Sequence, residues 1–467
     1  MRGHRRARRR LRPRFRRTER LEQPGGLSRP RRHPEPPSGG VPRTDRLGGL
    51  GREALPRRRV RSMSGARPVA VAYDCLFPYT TGGGERQYRA FAEAMVSRGE
   101  SVEYLTARQW NDANPPRESF AVREITPELT LHDASGVRRI SAAARFAAGL
   151  FRSLLRRRRA YSAVLVSGLP VLNVFAARLA LLGSGTPLAV DYLEVWGRHQ
   201  WIEYAGGLMG NVAWGLQRLA IAVTPIATCH SQLSANRLRA EGFRGELLLS
   251  PGLIDDRTAD ASSQPAPVAN PPFVLYAGRH IPDKRVEALP AAIAVAREDF
   301  PDLRLVILGE GPQSAAIDEA IRAVNGADWS ERPGFVSEET LTELMSTAAV
   351  LVNPSRREGY GLVVVEAAAS GTPVVLVADP SNAAIELVSP GVNGAIAPDI
   401  DPASLGGAIR TVLRGGADLR HSTRAWYDDA VRTRTIGRTV DGILAAFDRA
   451  RKKTRGARSA SAQEGPL

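Results

Sequence analysis

Cysteine is scarce in this sequence, where only Cys75 and Cys229 occur among 467 residues. The two are far apart in the chain, so neither a disulfide framework nor a cysteine-rich zinc site is indicated. Long hydrophobic runs are also missing. The most apolar stretch, residues 163–182, is interrupted by Asn173 and Arg178, whereas a membrane-spanning helix needs about 18 or more apolar residues in a row. We therefore expect a soluble protein.

Lysine is the second scarcity. The chain has 65 basic residues, but only Lys284, Lys452 and Lys453 are lysines. The positive charge is concentrated at one end, because residues 1–62 contain 21 arginines and five acidic residues, a formal charge of +16 out of +17. The rest of the chain is close to neutral, so the basic composition does not indicate that it binds nucleic acid.

The arginine-rich segment, residues 1–65, is also rich in proline and glycine, a composition typical of a disordered tail. Three interpretations stay open: an arm that binds nucleic acid or an anionic surface, a transit-like segment, and a start codon assigned upstream of the true one. We favour the last, because Met63 is followed directly by the first predicted strand. The segment has no apolar stretch typical of a secretory signal, so we expect a cytoplasmic protein.

Strand and helix patterns alternate through the rest of the chain, and this alternation predicts parallel sheets. Residues 256–272 lack periodicity and are rich in Ala, Ser, Gln and Pro, so they predict a linker. It would join an N-terminal domain, residues 66–255, to a C-terminal domain, residues 273–430. A cleft between two α/β halves is the natural place for a ligand.

Two helical patterns stand apart from this series. The first, residues 141–161, ends in the basic run Arg156 to Arg159. It could lie on an anionic membrane surface, but we favour an ordinary crossover helix, because amphipathic helices mostly face a core. The second pattern covers residues 431–451 and predicts a C-terminal helix, after which residues 452–467 are expected to form a disordered tail.

Two glutamates, Glu358 and Glu366, flank a glycine-rich turn in the sequence Glu-Gly-Tyr-Gly-Leu-Val-Val-Val-Glu. An apolar run before them predicts a buried strand, and the residues after them predict a helix that begins near Gly361. Such a helix would direct its N–H groups and positive dipole end at an anionic ligand. Glu366, about one turn into the helix, could reach a sugar hydroxyl. The alternative is that both glutamates merely flank a buried helix.

Lys284 follows Gly278-Arg279 at the end of a predicted strand and is the only lysine of the predicted folded body. Almost every other basic residue in the chain is arginine, so a lysine at this position indicates that its compact ammonium group binds phosphate. The alternative is that the lysine occurs there by chance. Three consecutive glycines, Gly82 to Gly84, follow the first strand. They do not match the G-x-G-x-x-G dinucleotide fingerprint, and they permit either close approach to a ligand or a tight turn.

These motifs together resemble the donor half of the retaining glycosyltransferases of family 4. The resemblance is carried, in order, by Gly278-Arg279 with Lys284, Gly309-Glu-Gly-Pro312, Pro333-Gly334-Phe335 and Glu358 with Glu366, and more loosely by Thr81-Gly-Gly-Gly-Glu85 in the acceptor half. It covers roughly residues 68–450. It implies the α/β GT-B fold, in which two Rossmann-like domains face each other across a cleft and the C-terminal helix crosses back to the N-terminal domain.

The resemblance also implies a role for each matched residue. The donor-binding residues are Arg279, Lys284, Glu366, Gly361, Leu362, Gly334, Phe335, Gly83 and Gly84. Arg279 and Lys284 would hold the donor diphosphate, with added N–H groups from the start of the helix, and Glu366 would bind the ribose hydroxyls. Gly334 and Phe335 would contact the base. Glu358 would face the donor sugar.

The sequence departs from the family where a His commonly ends a strand of the N-terminal domain and faces the sugar. The matching residues, 187–196, contain no His. Asp191 and Glu194 are therefore candidate catalytic residues beside Glu358, and His199 in the next loop is a further one. The family's usual Pro-Asn-Gly hinge is also absent from residues 250–255.

A metal site could be proposed at Asp399-Ile-Asp401, which has the Asp-x-Asp form of metal-dependent glycosyltransferases. Asp401 precedes Pro402 and an apolar-periodic stretch, so we interpret it instead as a helix N-cap. The site is then expected to contain no metal.

The implied activity is a retaining, metal-independent and cofactor-free transfer of a sugar from a nucleotide-diphosphate donor to a polysaccharide, glycolipid or small-molecule acceptor. The cellular role implied is cell-wall or polysaccharide biosynthesis, with no nucleic-acid partner, and peripheral contact with the inner face of the membrane stays open. Two other functions also stay open: a nucleotide-sugar epimerase, and a non-catalytic nucleotide-sugar-binding scaffold that would explain the missing His. Donor and acceptor identity depend on pocket shape rather than on motifs.

Overall fold

The computed structural model describes residues 67–463 apart from 81, 113, 132–137 and 256–263. The N-terminal tail, residues 1–65, therefore lies outside the described residues, as does the first half of the predicted linker. Two parallel sheets account for the core of the described chain, and both lie in one compact unit. The prediction of parallel α/β architecture is confirmed.

The first sheet has seven strands in the order β3-β2-β1-β4-β5-β6-β7, all parallel. In chain order its strands are β1 (Val69–Ala72), β2 (Val102–Ala107), β3 (Ala121–Thr126), β4 (Ala163–Ser167), β5 (Leu188–Tyr192), β6 (Ile226–Cys229) and β7 (Glu246–Leu249). The helices around it are α1 (Gly83–Ser97), α2 (Ile140–Arg157), α3 (Leu172–Ala180), α4 (Arg198–Ala205), α5 (Gly207–Val223) and α6 (Gln232–Ala240). The inner strands β1, β2, β4, β5 and β6 are buried along their whole length because helices cover both faces.

The second sheet has six strands in the order β10-β9-β8-β11-β13-β15, again all parallel. Its strands are β8 (Phe273–Ala277), β9 (Arg304–Leu308), β10 (Ser330–Gly334), β11 (Val350–Asn353), β13 (Val374–Val377) and β15 (Gly394–Ala397), and a separate two-stranded ladder joins β12 (Arg357–Glu358) to β14 (Ser381–Asn382). The helices are α7 (Leu289–Arg297), α8 (Ser314–Ala323), α9 (Glu338–Thr347), α10 (Leu362–Ala369) and α11 (Pro402–Thr433).

The chain ends in helix α12 (Ile436–Gln463). Its apolar side chains, among them Ile436, Val440, Ile443 and Phe447, are buried in one cluster with β1 and with Tyr88 and Phe91 of α1. The C-terminal helix therefore packs against the N-terminal half of the protein. It covers the face of the first sheet opposite to that covered by α2, α3 and α5.

The structure differs from the sequence-based expectation at the C-terminus. Residues 452–467 were expected to be a disordered tail, but α12 continues as far as Gln463. The segment contains Lys, Arg and Ala, which favour helix, and no proline before Gln463. A helix already started by the packing of Phe447 can therefore extend at little cost.

Two predicted helix starts are confirmed. Gly361 is the N-cap of α10. Asp401 is the N-cap of α11, and its side chain accepts a hydrogen bond from the N–H of Ala403. No helix in the described ranges combines the length and hydropathy needed to cross a bilayer.

The packing of α12 can be tested with Phe447→Ala. Removing this fully buried ring leaves a cavity against α1, so we expect the free energy of unfolding to fall by about 3–5 kcal/mol. Urea denaturation followed by tryptophan fluorescence measures the change, and Lys453→Ala, at an exposed position of the same helix, is the control. Equal midpoints for the two variants would contradict this packing.

Candidate functional site

The candidate site lies at the point in the second sheet where the chain stops adding strands on one side of β8 and starts adding them on the other. From β8 the chain moves outward to β9 and β10, then returns to form β11 on the other side of β8. Ligands of parallel α/β sheets bind at the carboxyl ends of strands beside such a switch point. Arg279 lies two residues after the end of β8, and Asn353 is the last residue of β11. Both are therefore at the position where a ligand is expected.

Lys284 and Glu358 form an ion pair at this edge. Lys284 ends a short 3-10 turn after β8, and Glu358 lies in β12. Asn353 donates a second hydrogen bond, from Nδ2 to Oε1 of Glu358, at 3.0 Å. The carboxylate side chain is only 14% exposed. The structure thus brings together two residues that the sequence separates by 74 positions.

The pKa of Glu358 reflects these contacts. Burial by itself raises the pKa, but the charge of Lys284 and hydrogen bonds from Lys284, Asn353 and Ser355 outweigh burial, and the net pKa is below its usual value. Glu358 is therefore a carboxylate held in its ionised form by its partners.

Arg279 is exposed beside this pair, and the described residues offer its guanidinium no ion-pair partner. Its backbone is fixed instead, because the hydroxyl of Tyr276 donates to the Arg279 carbonyl at 3.1 Å. The side chain is near the other sheet, since its charge acts on Tyr73 after β1. Burial raises the pKa of Tyr73, an effect that Glu85 reinforces and that Arg138 and Arg279 oppose.

Glu366 lies at the same edge and meets the first half of the protein. Its Oε1 is 2.7 Å from a guanidinium nitrogen of Arg86, in the first turn of α1. Both side chains keep substantial exposure. Sequence reasoning missed Arg86, although its place two residues after Gly84 was a usable signal.

The start of α10 is a glycine turn without a side-chain cap. Gly361 has φ 100°, and a Cβ there would lie 2.6 Å from the Cβ of Ala384, so only glycine fits. No side chain caps this helix end. Leu362, its first residue, reaches across to Gly83, where an added Cβ would lie 3.5 Å from Cδ1 of Leu362.

The glycines at the start of α1 differ in the space around them. A Cβ on Gly84 would lie 2.5 Å from the hydroxyl of Tyr73, whereas Gly83 has space. Gly84 is therefore needed for packing, and Gly83 is the glycine that faces the start of α10.

Gly334 ends β10 at the far side of this edge, and Phe335 follows it. Gly334 has φ 77°, and its carbonyl accepts from the N–H of Gly309 at 2.8 Å. The side chain of Phe335 is 70% exposed. An exposed ring on a fixed turn can stack on a planar ligand.

Asp191 does not face the cleft. It has no exposed surface and accepts hydrogen bonds from Thr228, from Gln87 at 3.0 Å and from His230 at 2.7 Å. The expectation that Asp191 could contact a sugar therefore requires correction, because its carboxylate is fully engaged inside the fold. His230, after β6, was missed because the expected position for a His was after β5.

Glu194 lies at the cleft. Its Oε2 accepts from the indole N–H of Trp196 at 2.7 Å, and a Cβ on Gly359 would be 2.8 Å from its Cγ. Glu194 therefore lies next to the loop that carries Glu358. His199, the further candidate, is exposed at the start of α4. Among the described residues no group of three or more His, Cys, Asp or Glu side chains is arranged to hold a metal ion.

Residues 258–426, which contain this edge of the second sheet, match the family model for glycosyl transferases group 1. A relative from Jonesia denitrificans, named D-inositol 3-phosphate glycosyltransferase, is 33% identical over 186 residues, which are 38% of this chain and 43% of the relative. The chain thus spans about two-fifths of the curated relatives it matches first.

Solved structures are similar over most of the chain. Sucrose-phosphate synthase from Thermosynechococcus elongatus has a TM-score of 0.66 at 19% identity, covering 82% of this chain and 99% of that one. Anabaena HepE in complex with UDP and glucose has a TM-score of 0.59 at 15% identity, covering 82% and 100%. The predicted GT-B fold is confirmed by these likenesses.

The ion pair at the site predicts a pH-dependent effect of Lys284→Ala. With its partner, Glu358 has a lowered pKa, which stabilises the fold above the unfolded pKa of about 4.3 and is lost as pH falls. Without Lys284, burial is opposed less and the pKa rises, so the variant loses stability as pH increases. We expect a deficit of about 3 kcal/mol near neutral pH that shrinks markedly towards pH ~4.

Thermal melts of both proteins across this pH range measure the effect. In a Lys284→Ala/Glu358→Gln double variant the pH dependence of the deficit should disappear, because no carboxylate remains to titrate. A deficit of the same size at both ends of the range would show that Glu358 does not depend on Lys284.

Proposed function

We propose that this protein is a retaining glycosyltransferase that moves a sugar from a nucleotide-diphosphate donor to an acceptor hydroxyl. The observation that carries the proposal is the grouping at one strand edge of Arg279, Lys284, Glu358 and the uncapped start of α10. The match of residues 258–426 to the family model for glycosyl transferases group 1 supports the same chemistry.

The donor diphosphate would lie between Arg279, Lys284 and the N–H groups at Gly361 and Leu362. When the bond between the sugar C1 and the diphosphate oxygen breaks, the electron pair stays on that oxygen. Fixed cations and helix N–H groups stabilise the growing negative charge without rearranging. The ammonium of Lys284 has three donors, so it can bind phosphate while it keeps its bond to Glu358.

The nucleoside would extend towards β10. Glu366 would accept the ribose hydroxyls, and Arg86 would hold its carboxylate in place from α1. The exposed ring of Phe335, with Gly334 beneath it, would stack on the base. The solved HepE structure contains UDP, and we propose a uracil base as the first to test here.

The donor sugar would lie between Glu358 and Glu194, which approach each other at Gly359. Asp191 would act at one remove as a positioning residue, because its bonds to Gln87 and His230 fix the end of β5 just before Glu194. The acceptor hydroxyl would attack C1 from the face that the diphosphate leaves, and its proton would pass to the departing diphosphate oxygen, so a separate acid and base pair is not required.

Donor binding can be tested by thermal shift with UDP, GDP, ADP and their sugars on the full chain. We expect one nucleotide diphosphate to raise the melting temperature, and Lys284→Ala and Glu366→Ala each to weaken its binding by at least about tenfold. Lys452→Ala and Glu343→Ala are matched controls at exposed positions away from the site. Undiminished binding in both site variants would remove this assignment.

The reaction is proposed to need no metal, because Arg279, Lys284 and the start of α10 supply the positive charge at the diphosphate. Sugar transfer should therefore be unchanged, within about twofold, after dialysis against EDTA. Activity that disappears with EDTA and returns with manganese would show that a cation takes part.

A further inference from the structure

Three helices of the first half, α2, α3 and α5, lie side by side on one face of the first sheet. The middle helix, α3, contacts both of the others. Their inner sides are buried in a single core cluster, for example at Phe146, Val174 and Ile221. Their outer sides therefore point away from the sheet together, and we call the outward side chains of these helices, with Leu182 just after α3, the α2–α3–α5 face.

This face is unusually apolar. Of the fourteen large apolar side chains that are exposed in the described chain, nine belong to it. They are Ile140, Leu155, Leu179, Leu182, Leu208, Met209, Val212, Leu216 and Leu219. Five of the nine follow one stripe along α5 at helical spacing, and Leu208 is 80% exposed. An exposed apolar patch of this kind marks a surface that is covered in use.

The charge on this face has one sign. Helices α2, α3 and α5 contain no Asp or Glu. Arg145, Arg152, Arg156 and Arg178 are exposed there, and the described residues give them no ion-pair partner. Two other arginines of these helices are paired with carboxylates that lie outside them: Arg157 with Glu103 and Arg218 with Glu241. The face thus combines apolar side chains with uncompensated positive charge.

We propose that the α2–α3–α5 face docks on an anionic lipid surface. Guanidinium groups bind lipid phosphates while leucine and methionine side chains enter the boundary between headgroups and acyl chains. A second copy of this chain fits less well, because a symmetric contact would place these arginines against each other. The described helices cannot span a bilayer, so the attachment is peripheral.

The docked surface would lie next to the cleft. The apolar stripe begins at Leu208, and α4, immediately before it, carries Glu203, which pairs with Arg356 of the second half. If the proposed transferase activity is correct, a lipid-linked acceptor held in the same surface would be close to the donor site. This consequence rests on the proposed function, whereas the docking itself does not.

An environment-sensitive probe on the full chain tests the docking directly. Both native cysteines are buried, so an NBD group can be attached selectively to Val212→Cys on the stripe. Val392→Cys in the second half is the matched control, because the native side chains are similarly exposed, at 48% and 41%. With vesicles of phosphatidylglycerol and phosphatidylcholine we expect a blue shift and a severalfold rise in emission at position 212 only. Phosphatidylcholine alone should give neither.

A charge-reversal pair tests the arginines. Arg152→Glu/Arg156→Glu should weaken vesicle binding by at least about tenfold, since each arginine near an anionic surface contributes roughly fivefold. Lys452→Glu/Lys453→Glu makes the same change in net charge on α12, which covers the opposite face of the sheet, and should have little effect.

Three results would overturn the proposal. Sedimentation with vesicles while the probe at position 212 stays in water would assign binding to the arginine-rich residues 1–62. A blue shift that needs no vesicles and grows with protein concentration would show that a second copy covers the face. Absence of binding to anionic vesicles would leave the face without this role. None of these outcomes bears on donor binding, which the thermal-shift experiment measures separately.

Discussion

The constraint on which the site depends is that every strand of both sheets is parallel. Parallel strands need a crossover after each one, so all loops that follow strands emerge at the same edge of a sheet. Helices must then cover both faces, which is why the inner strands are buried and few of their side chains can reach a ligand. The polar residues collect where strands end. Glu358 is remote in sequence from Arg279 and Lys284 but lies at the same edge for this reason.

Two ion pairs lie at that edge, beside Arg279, which has no ion-pair partner among the described residues. Lys284 bonds Glu358, and Arg86 bonds Glu366 across the two halves. The first pair is largely buried, so loss of either partner would leave a costly unpaired charge. The second is more exposed and contributes less to stability. Arg86 and Glu366 can therefore exchange partners more easily when an anion or a hydroxyl binds. Lys284 and Glu358 stay paired and fix the loops that carry them.

Local patterns predicted the local parts of this structure. The start of α10 at Gly361 and the N-cap at Asp401 could be predicted because these residues determine the backbone conformation and hydrogen bonding of the residues next to them. Residues far apart in sequence were predicted to share a site only where one family motif contains them both, as it does Lys284 and Glu358. No motif linked Arg86 to Glu366 or His230 to Asp191, since each pairing joins separate crossovers, although the place of Arg86 next to the glycine loop was a usable signal. The length of α12 was missed because the packing of Phe447, from which the helix extends into residues 452–463, is not visible in the local pattern of that segment.

Several contacts between the two halves at the cleft are hydrogen bonds. Glu386 accepts from the N–H groups of Gln232 and Leu233 at the start of α6, at 2.8 and 2.9 Å, which satisfies a helix end that would otherwise face water. Arg237 of the same helix donates to the carbonyl of Pro380. Water can replace hydrogen bonds of this kind at small net cost, whereas the apolar packing of α12 on the first half cannot be replaced in that way. The apolar packing of α12 therefore holds the halves together away from the ligand side. At the ligand side they are joined by hydrogen bonds that water can replace.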